Sequence, residues 1–173
     1  MPKNLEIKIK LANRVKFLNR ITKLKAQKIY SSEQVDVYFQ NEKGRLKVRD
    51  SNGEKSVIFY SRVEDGRERW SKFHFIKVES PKEWVSFFKL FMKPLVTVKK
   101  HRTLFHYKNT RIHLDKIKGL GNFIELETKV NSSLKKAREE VEFLCKDLGL
   151  SKNDQILNSY SDLLIAKKVK SKK

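Results

Sequence analysis

From Leu5 to Leu11 apolar and charged residues alternate without a break. Leu5, Ile7, Ile9 and Leu11 fall on one side, Glu6, Lys8 and Lys10 on the other. A period of two predicts a β-strand with one apolar and one charged face. The period then lengthens. Val15, Leu18, Ile21 and Leu24 recur at helical spacing, and Asn13 stands where a cap belongs, which predicts a helix over 13–26. Alternation returns at Val35 to Phe39, at Arg45 to Arg49 and at Ser56 to Val63, separated by turn-like Asn41 to Gly44 and Asp50 to Gly53. Trp70 to Val78 predicts a further strand beyond a charged loop at Asp65-Gly66.

Ser80-Pro81-Lys82-Glu83 reads as a helix start, with Ser80 as cap, Pro81 at the first helical position and Glu83 closing a capping box. Trp84, Phe87, Phe88 and Phe91 are its expected buried stripe, and Pro94 its stop. Leu95 to Arg102, Thr103 to Tyr107, Thr110 to Ile117 and Asn122 to Thr128 are strand-like, the last two flanking a Gly119-Leu120-Gly121 turn. Ser133 to Leu148 predicts a helix with Leu134, Ala137, Val141, Leu144 and Leu148 inward and Gly149 at its end. A short helix is expected over 159–166. The pattern gives one α+β domain over 1–166, followed by a Lys-rich tail over 167–173 expected to be disordered.

Composition narrows the class. With 11 Phe, 5 Tyr and 2 Trp in 173 residues the chain is too aromatic for a solvating tail. The single cysteine, Cys145, excludes an internal disulfide framework and a Cys-based zinc site, so a reducing, cytoplasmic location is expected. Its place on the apolar side of a helix predicts a core residue. No apolar run approaches the roughly 18 residues of a membrane span, and MPKNLEIKIK has no apolar signal core. Forty Lys and Arg against 20 Asp and Glu leave a net charge of +20. Nucleic acid, an anionic membrane surface and small polyphosphates all qualify as partners on that number.

The parity of the charges says more than their sum. Glu6, Lys8 and Lys10 share a face, as do Lys47 and Arg49, Tyr60 and Arg62, Lys100 and Arg102, Arg111, His113 and Asp115, and Glu125 and Glu127. One charged strand face is ordinarily solvated. Several together, with helices supplying apolar stripes, predict aliphatic faces turned outward against helices and charged faces lining a closed or nearly closed barrel. Burying so many cations is costly unless anions lie between them. A basic lumen with carboxylates suits a metal-bound polyphosphate: Arg and Lys take phosphate oxygens, and Glu and Asp offer hard oxygen ligands to Mg²⁺ or Mn²⁺.

Asn4-Leu5-Glu6-Ile7-Lys8 resembles the strand-one signature, Glu-x-Glu-x-Lys, of the CYTH superfamily, the triphosphate tunnel metalloenzymes; Asn in first place resembles the class IV adenylate cyclase branch. Other stretches are similar to the family's motifs in order: Gln34 to Phe39, Gly44 to Arg49, Tyr60 and Arg62, Val98-x-Lys100-x-Arg102, Arg111 to Asp115, Gly119 to Glu127, and Tyr160 to Leu164. The resemblance implies an eight-stranded antiparallel tunnel with helices packed outside. It implies metal-ligand positions at Glu6, Glu125 and Glu127, with Asp115 as a further candidate, and Mg²⁺ or Mn²⁺ as the ion. It implies phosphate-binding positions at or near Lys8, Lys10, Lys47, Arg49, Arg62, Lys100, Arg102 and Arg111. Asn4 removes one negative charge from the usual pattern.

The implied activity is metal-dependent chemistry on a triphosphate: a cyclase turning ATP into cyclic AMP and pyrophosphate, or a triphosphatase acting on inorganic, thiamine or nucleoside triphosphate. The implied partners are that substrate and a second copy in a homodimer, with no membrane. The rival from another class is a non-catalytic binder of nucleic acid or polyphosphate, which needs the basic patch and not the carboxylates. Gly119-Leu120-Gly121 lacks the context of a nucleotide fingerprint and reads as a hairpin. His74, His101 and His106 read as bystanders, and His113 as a structural hydrogen-bonding residue. Asp36 and Tyr38 read as wall residues.

Overall fold

A computed structural model describes residues 4–65, 68–131 and 133–171; the side chains of residues 62–73 lie outside the description. The expectations placed on Gly66, on the Arg62 side chain and on Lys172 and Lys173 therefore fall outside it. Eight antiparallel strands form one sheet: β1 (Asn4–Lys10), β2 (Gln27–Phe39), β3 (Arg45–Ser51), β4 (Ser56–Asp65), β5 (Glu68–Lys77), β6 (Pro94–Tyr107), β7 (Thr110–Ile117) and β8 (Gly121–Lys129). Their spatial order is β1-β8-β7-β6-β2-β3-β4-β5. The sheet curls until the edge strands β1 and β5 approach each other, yet among the described residues no ladder joins them. It is a curled half-barrel, the eight-stranded antiparallel architecture expected, short of complete closure. The free edge of β1 is partly covered instead by the chain ahead of the last helix: the Ile156 amide donates to Lys8 O at 2.8 Å, and Ile9 bridges Gln155.

The alternation in β1 works as predicted. Leu5, Ile7 and Ile9 join a cluster with Ile112, Leu114, Ile124 and Leu126 beneath two helices, α1 (Arg14–Lys23) and α3 (Leu134–Leu148). Asn13 caps α1 by accepting from Lys16 N at 2.9 Å, and Gly149 ends α3 in the left-handed conformation, φ 61°. The buried face of α1 is set by Phe17 and Ile21, which turns Val15 outward at 69% exposure, against expectation. Helix α2 (Pro81–Lys89) covers β3 and β4. Its aromatics form two rows one turn apart. Trp84 and Phe88 pack on the core of Phe39, Leu46, Val48 and Val57, and Phe87 and Phe91 are half exposed. Trp84 and Phe88 share one helix face, and Phe87, with Phe91 in the turn after the helix, shares the next, so the expected stripe is halved. Ser80 makes no side-chain cap bond, so the predicted capping box is not formed there.

A capping box does start α4 (Tyr160–Lys170): Ser159 Oγ accepts from Asp162 N at 3.1 Å and Asp162 Oδ2 accepts from Ser159 N at 2.9 Å. This helix packs differently from the other three. Tyr160 enters the concave side of the sheet, against Val96, Val98, Ile117 and Phe123. The helix runs on to Lys170, so Lys167 to Lys170 are helical where disorder was expected. Lysines suit the negative end of a helix dipole, and Lys167 Nζ donates to Gly119 O at 2.7 Å. The start of β2 was also unread, because a bulge between Lys28 and Tyr30 breaks its alternation. Among the described residues no helix is long and apolar enough to cross a membrane.

Candidate functional site

The charged strand faces meet around one cavity of about 360 Å³ on the concave side of the sheet. Glu6, Lys8, Lys47, Arg49, Lys100, Arg102, Arg111, Glu125 and Glu127 all line it, as does Asn4. Two expected site residues do not: Lys10 ends β1 exposed to solvent, and Asp115 lies behind the wall. The Arg62 side chain is outside the description. The residues are held by ladder register. β1 sets Glu6 opposite Glu127 and Lys8 opposite Glu125 on β8, and β6 sets Arg102 opposite Asp115 on β7.

Two buried carboxylates back the cations from outside the cavity. Asp36 accepts from Lys47 Nζ at 3.1 Å, from Arg49 Nε at 2.9 Å and Nη2 at 3.2 Å, and from Gln34 Nε2 at 3.0 Å. Asp115 accepts from Arg102 Nε at 2.7 Å and Nη2 at 2.6 Å, and from the Tyr160 hydroxyl at 3.0 Å. Lys100 stands between them, its Nζ 3.9 Å from an oxygen of each. A bidentate guanidinium–carboxylate pair is rigid as well as strong, so these two acids fix where the cations point. With both oxygens taken by Arg102 and Tyr160, Asp115 braces the wall from outside the cavity lining.

The electrostatics follow from burial and sharing. Burial would raise the Asp36 carboxyl, but Arg49, Lys47 and Lys100 overcome it and hold the pKa well below the usual value. Asp115 is likewise lowered, against its burial, by Arg102 and Lys100. Lys47 shares Asp36 with the more tightly bound Arg49. Burial and the Arg49 charge therefore prevail over Asp36, and the ammonium falls from 10.5 to about 7. Lys100 is lowered by burial and by Arg102.

A carboxylate wall completes the site. Glu125 takes Lys8 Nζ at 3.3 Å and Arg102 Nη2 at 3.1 Å. Glu127 takes Arg111 Nη2 at 2.6 Å and lies 3.3 Å from His113 Nε2. Against their burial, both are held low, Glu125 first by Lys8 and Glu127 first by His113, whose own pKa burial and Arg102 lower. Glu6 and Glu127 face each other across neighbouring strands, an arrangement that repels unless a cation lies between. With the Asn4 amide beside them the donors are all hard oxygens, which fits Mg²⁺ or Mn²⁺. Among the described residues no three His, Cys, Asp or Glu side chains converge into a ready-made cage. The wall suits an ion that keeps water and borrows oxygens from a substrate.

Several lining residues were not read from the sequence. Glu54, in the loop after β3, accepts from Arg49 Nη1 at 3.0 Å; a loop carries no parity to betray it. Tyr30, Ile58 and Phe75 are likewise unexpected in the lining, whereas Tyr38 and Tyr60 line the cavity where the sequence put them, on the wall and on the inner strand face, and Tyr160 joins them from the start of α4. The Tyr160 ring centroid is 4.4 Å from Lys8 Nζ. His101 pairs with Glu33 and Ser31 on the outer surface, away from the cavity, as expected of a bystander.

The sequence matches the CYTH domain over residues 2–160. The chain belongs to the CYTH domain family. A Methanocaldococcus jannaschii protein named "Putative adenylate cyclase" is 27% identical over 169 residues, covering 92% of this chain and 97% of the relative. Among solved structures, the PH1012 protein of Pyrococcus horikoshii shares this CYTH chain's fold at TM-score 0.84 and 24% identity, over 92% of this chain and 98% of that one. A Hippeastrum protein described as a "Putative adenylyl cyclase" with a dominant triphosphatase activity aligns at TM-score 0.67 and 12% identity, over 95% and 96%.

Proposed function

We propose that this protein is a metal-dependent enzyme that holds a triphosphate in the cavity and converts ATP to cyclic AMP and pyrophosphate. The observation that carries the reading is the gathering of cations and carboxylates around one cavity: Lys8, Lys47, Arg49, Lys100 and Arg102 from β1, β3 and β6 with the Glu6, Glu125 and Glu127 carboxylates among them. A surface that only bound polyanions would gain nothing from two buried acids and a third partly buried beside them. Lys8, Lys47, Lys100, Arg49 and Arg102 neutralise the phosphate chain and hold it extended, and Arg111 meets it beside Glu127. Asp36 and Asp115 keep the guanidinium groups aimed before substrate arrives, so little reorganisation is left to the reaction. Glu6, Glu125 and Glu127 would hold Mg²⁺ or Mn²⁺, which when bound supplies charge stabilisation at the phosphoryl oxygens. In the cyclase reaction the ribose 3′-oxygen attacks the α-phosphorus, its proton is lost, and the bond to the pyrophosphate oxygen breaks. The relative named for adenylate cyclase supports this choice.

A second reading, hydrolysis of the terminal phosphoryl group, uses the same walls, and the triphosphatase activity described for the Hippeastrum protein favours it. The test is a product assay. The protein is incubated with ATP, inorganic triphosphate and thiamine triphosphate, each with Mg²⁺ or Mn²⁺. Cyclic AMP with pyrophosphate selects the cyclase, and orthophosphate selects the hydrolase. Turnover unchanged in both Lys8→Ala and Glu127→Ala would remove the cavity from the reaction altogether.

A further inference from the structure

Five aromatic side chains line a cavity whose proposed occupant is a chain of phosphates. Three of them serve the wall. Tyr160 is bonded to Asp115 and lies against Lys8, and the Tyr38 and Tyr60 rings stand 5.5 and 5.7 Å from Lys47 Nζ. Those three are buried. The other two are not. Tyr30 on β2 is 42% exposed and Phe75 on β5 is 43% exposed, whereas Lys8, Lys100 and Arg102 of the same lining are at most 6% exposed. The two rings therefore stand where the cavity opens to solvent, beyond the buried cations.

An all-phosphate ligand has no use for them. The face of an aromatic ring is the negative side of its quadrupole and repels phosphate oxygens. A base attached to the phosphate chain does have a use for them, because every nucleobase offers a π-face that stacks on Tyr or Phe without hydrogen-bond readout. We infer that Tyr30 and Phe75 form a stacking rim for the base of a nucleoside triphosphate whose phosphates lie among the buried cations. This rests on the triphosphate reading above and makes the substrate a nucleotide rather than an inorganic or other base-free polyphosphate. Stacking alone is tolerant of base identity, so the rim admits ATP and GTP with similar affinity.

Calorimetric titration of the whole chain with ATP and with inorganic triphosphate, each with Mg²⁺, separates the two ideas. Tyr30→Ala and Phe75→Ala are each expected to weaken ATP on the order of tenfold and to change inorganic triphosphate by less than about twofold, while Tyr30→Phe keeps the ATP affinity. Retained triphosphate binding also shows that the variants are folded. Equal losses for both ligands, or no loss for ATP in either alanine variant, would overturn the rim. Wild-type protein that binds inorganic triphosphate but not ATP would overturn the rim and leave the cavity reading standing; failure to bind either ligand would overturn both.

Discussion

Replacing Asp36 by Asn removes one negative charge from the middle of the cation cluster and leaves the side chain almost the same size. Asp36 is 1% exposed and answers Lys47, Arg49 and, at longer range, Lys100. Breaking a buried pair from one side costs about 3–5 kcal/mol, because the partners remain buried without compensation. For a chain of this length each kcal/mol lowers Tm by roughly 2–4 °C, so the expected drop is about 6–20 °C in mildly acid solution, where Lys47 is charged in both proteins. Part of the cost can be shed. Lys47 already sits at about 7, and without Asp36 it loses its proton more readily, so the deficit shrinks as pH rises. It also shrinks in acid. Asp36 is lowered below its unfolded value, so its contribution is complete above the unfolded pKa of about 3.9 and disappears as pH falls through the folded value. The difference between the proteins is therefore greatest in mildly acid solution, above about pH 4 and below about pH 7. A bound triphosphate supplies the missing negative charge, and the increment it adds to Tm, set by its affinity, should be larger in the variant than in the wild type. Thermal unfolding followed by circular dichroism, with and without inorganic triphosphate, reads both quantities. A drop under about 2 °C together with equal ligand increments would refute the idea that Asp36 holds the place of an anion among these cations.

Glu127→Gln is expected to lower metal-dependent turnover on the order of 100-fold while leaving the far-ultraviolet spectrum unchanged, since it removes a hard charged donor worth several kcal/mol to the phosphoryl charge; steady-state rates across a Mg²⁺ titration check it. Triphosphate binding above pH 7 should take up a proton, approaching one per site at about pH 8.5, because phosphate restores the ammonium of Lys47; calorimetry in buffers of different ionisation enthalpy measures it, and a zero slope there would contradict the assignment. The same lowered pKa means that Lys47 by itself costs stability below pH 7 and that this cost fades as pH rises through the ordinary lysine range. Ser159→Ala should destabilise the fold by about 0.5–2 kcal/mol through loss of the α4 capping box, measured by urea unfolding.

What could be read in advance was parity, and parity was enough for the walls. Strict alternation in β1, β3, β6, β7 and β8 put Lys8, Lys47, Lys100, Arg102 and Glu125 on one side of their strands, and the ladders bring that side to one cavity. Parity fails where the chain leaves the two-residue period. The bulge at Lys28/Tyr30 hid half of β2 and with it Tyr30, and Glu54 reaches Arg49 from a loop. Parity also says which face a residue occupies and not how far along the tunnel it lies, so Lys10 shares a face with Lys8 and still ends in solvent, and Asp115 shares one with Arg111 and ends behind the wall. Helix faces were less legible than strand faces. Four aromatics in α2 and the turn after it leave the sheet a choice of rows, and Phe17 outcompetes Val15 for the core because it buries more surface.

The pairing of β1 with β8 joins Asn4 to Lys129, so the wall that carries Glu6 and Glu127 closes most of the chain into a single loop. Contacts of such long sequence separation form only after the intervening strands are in place. On a nascent chain the acids of β1 wait for β8 to be synthesised before they have a partner wall at all. A ligand that bridges the two strands meets a completed site only at the end of folding. It should therefore slow unfolding and leave the folding rate nearly untouched.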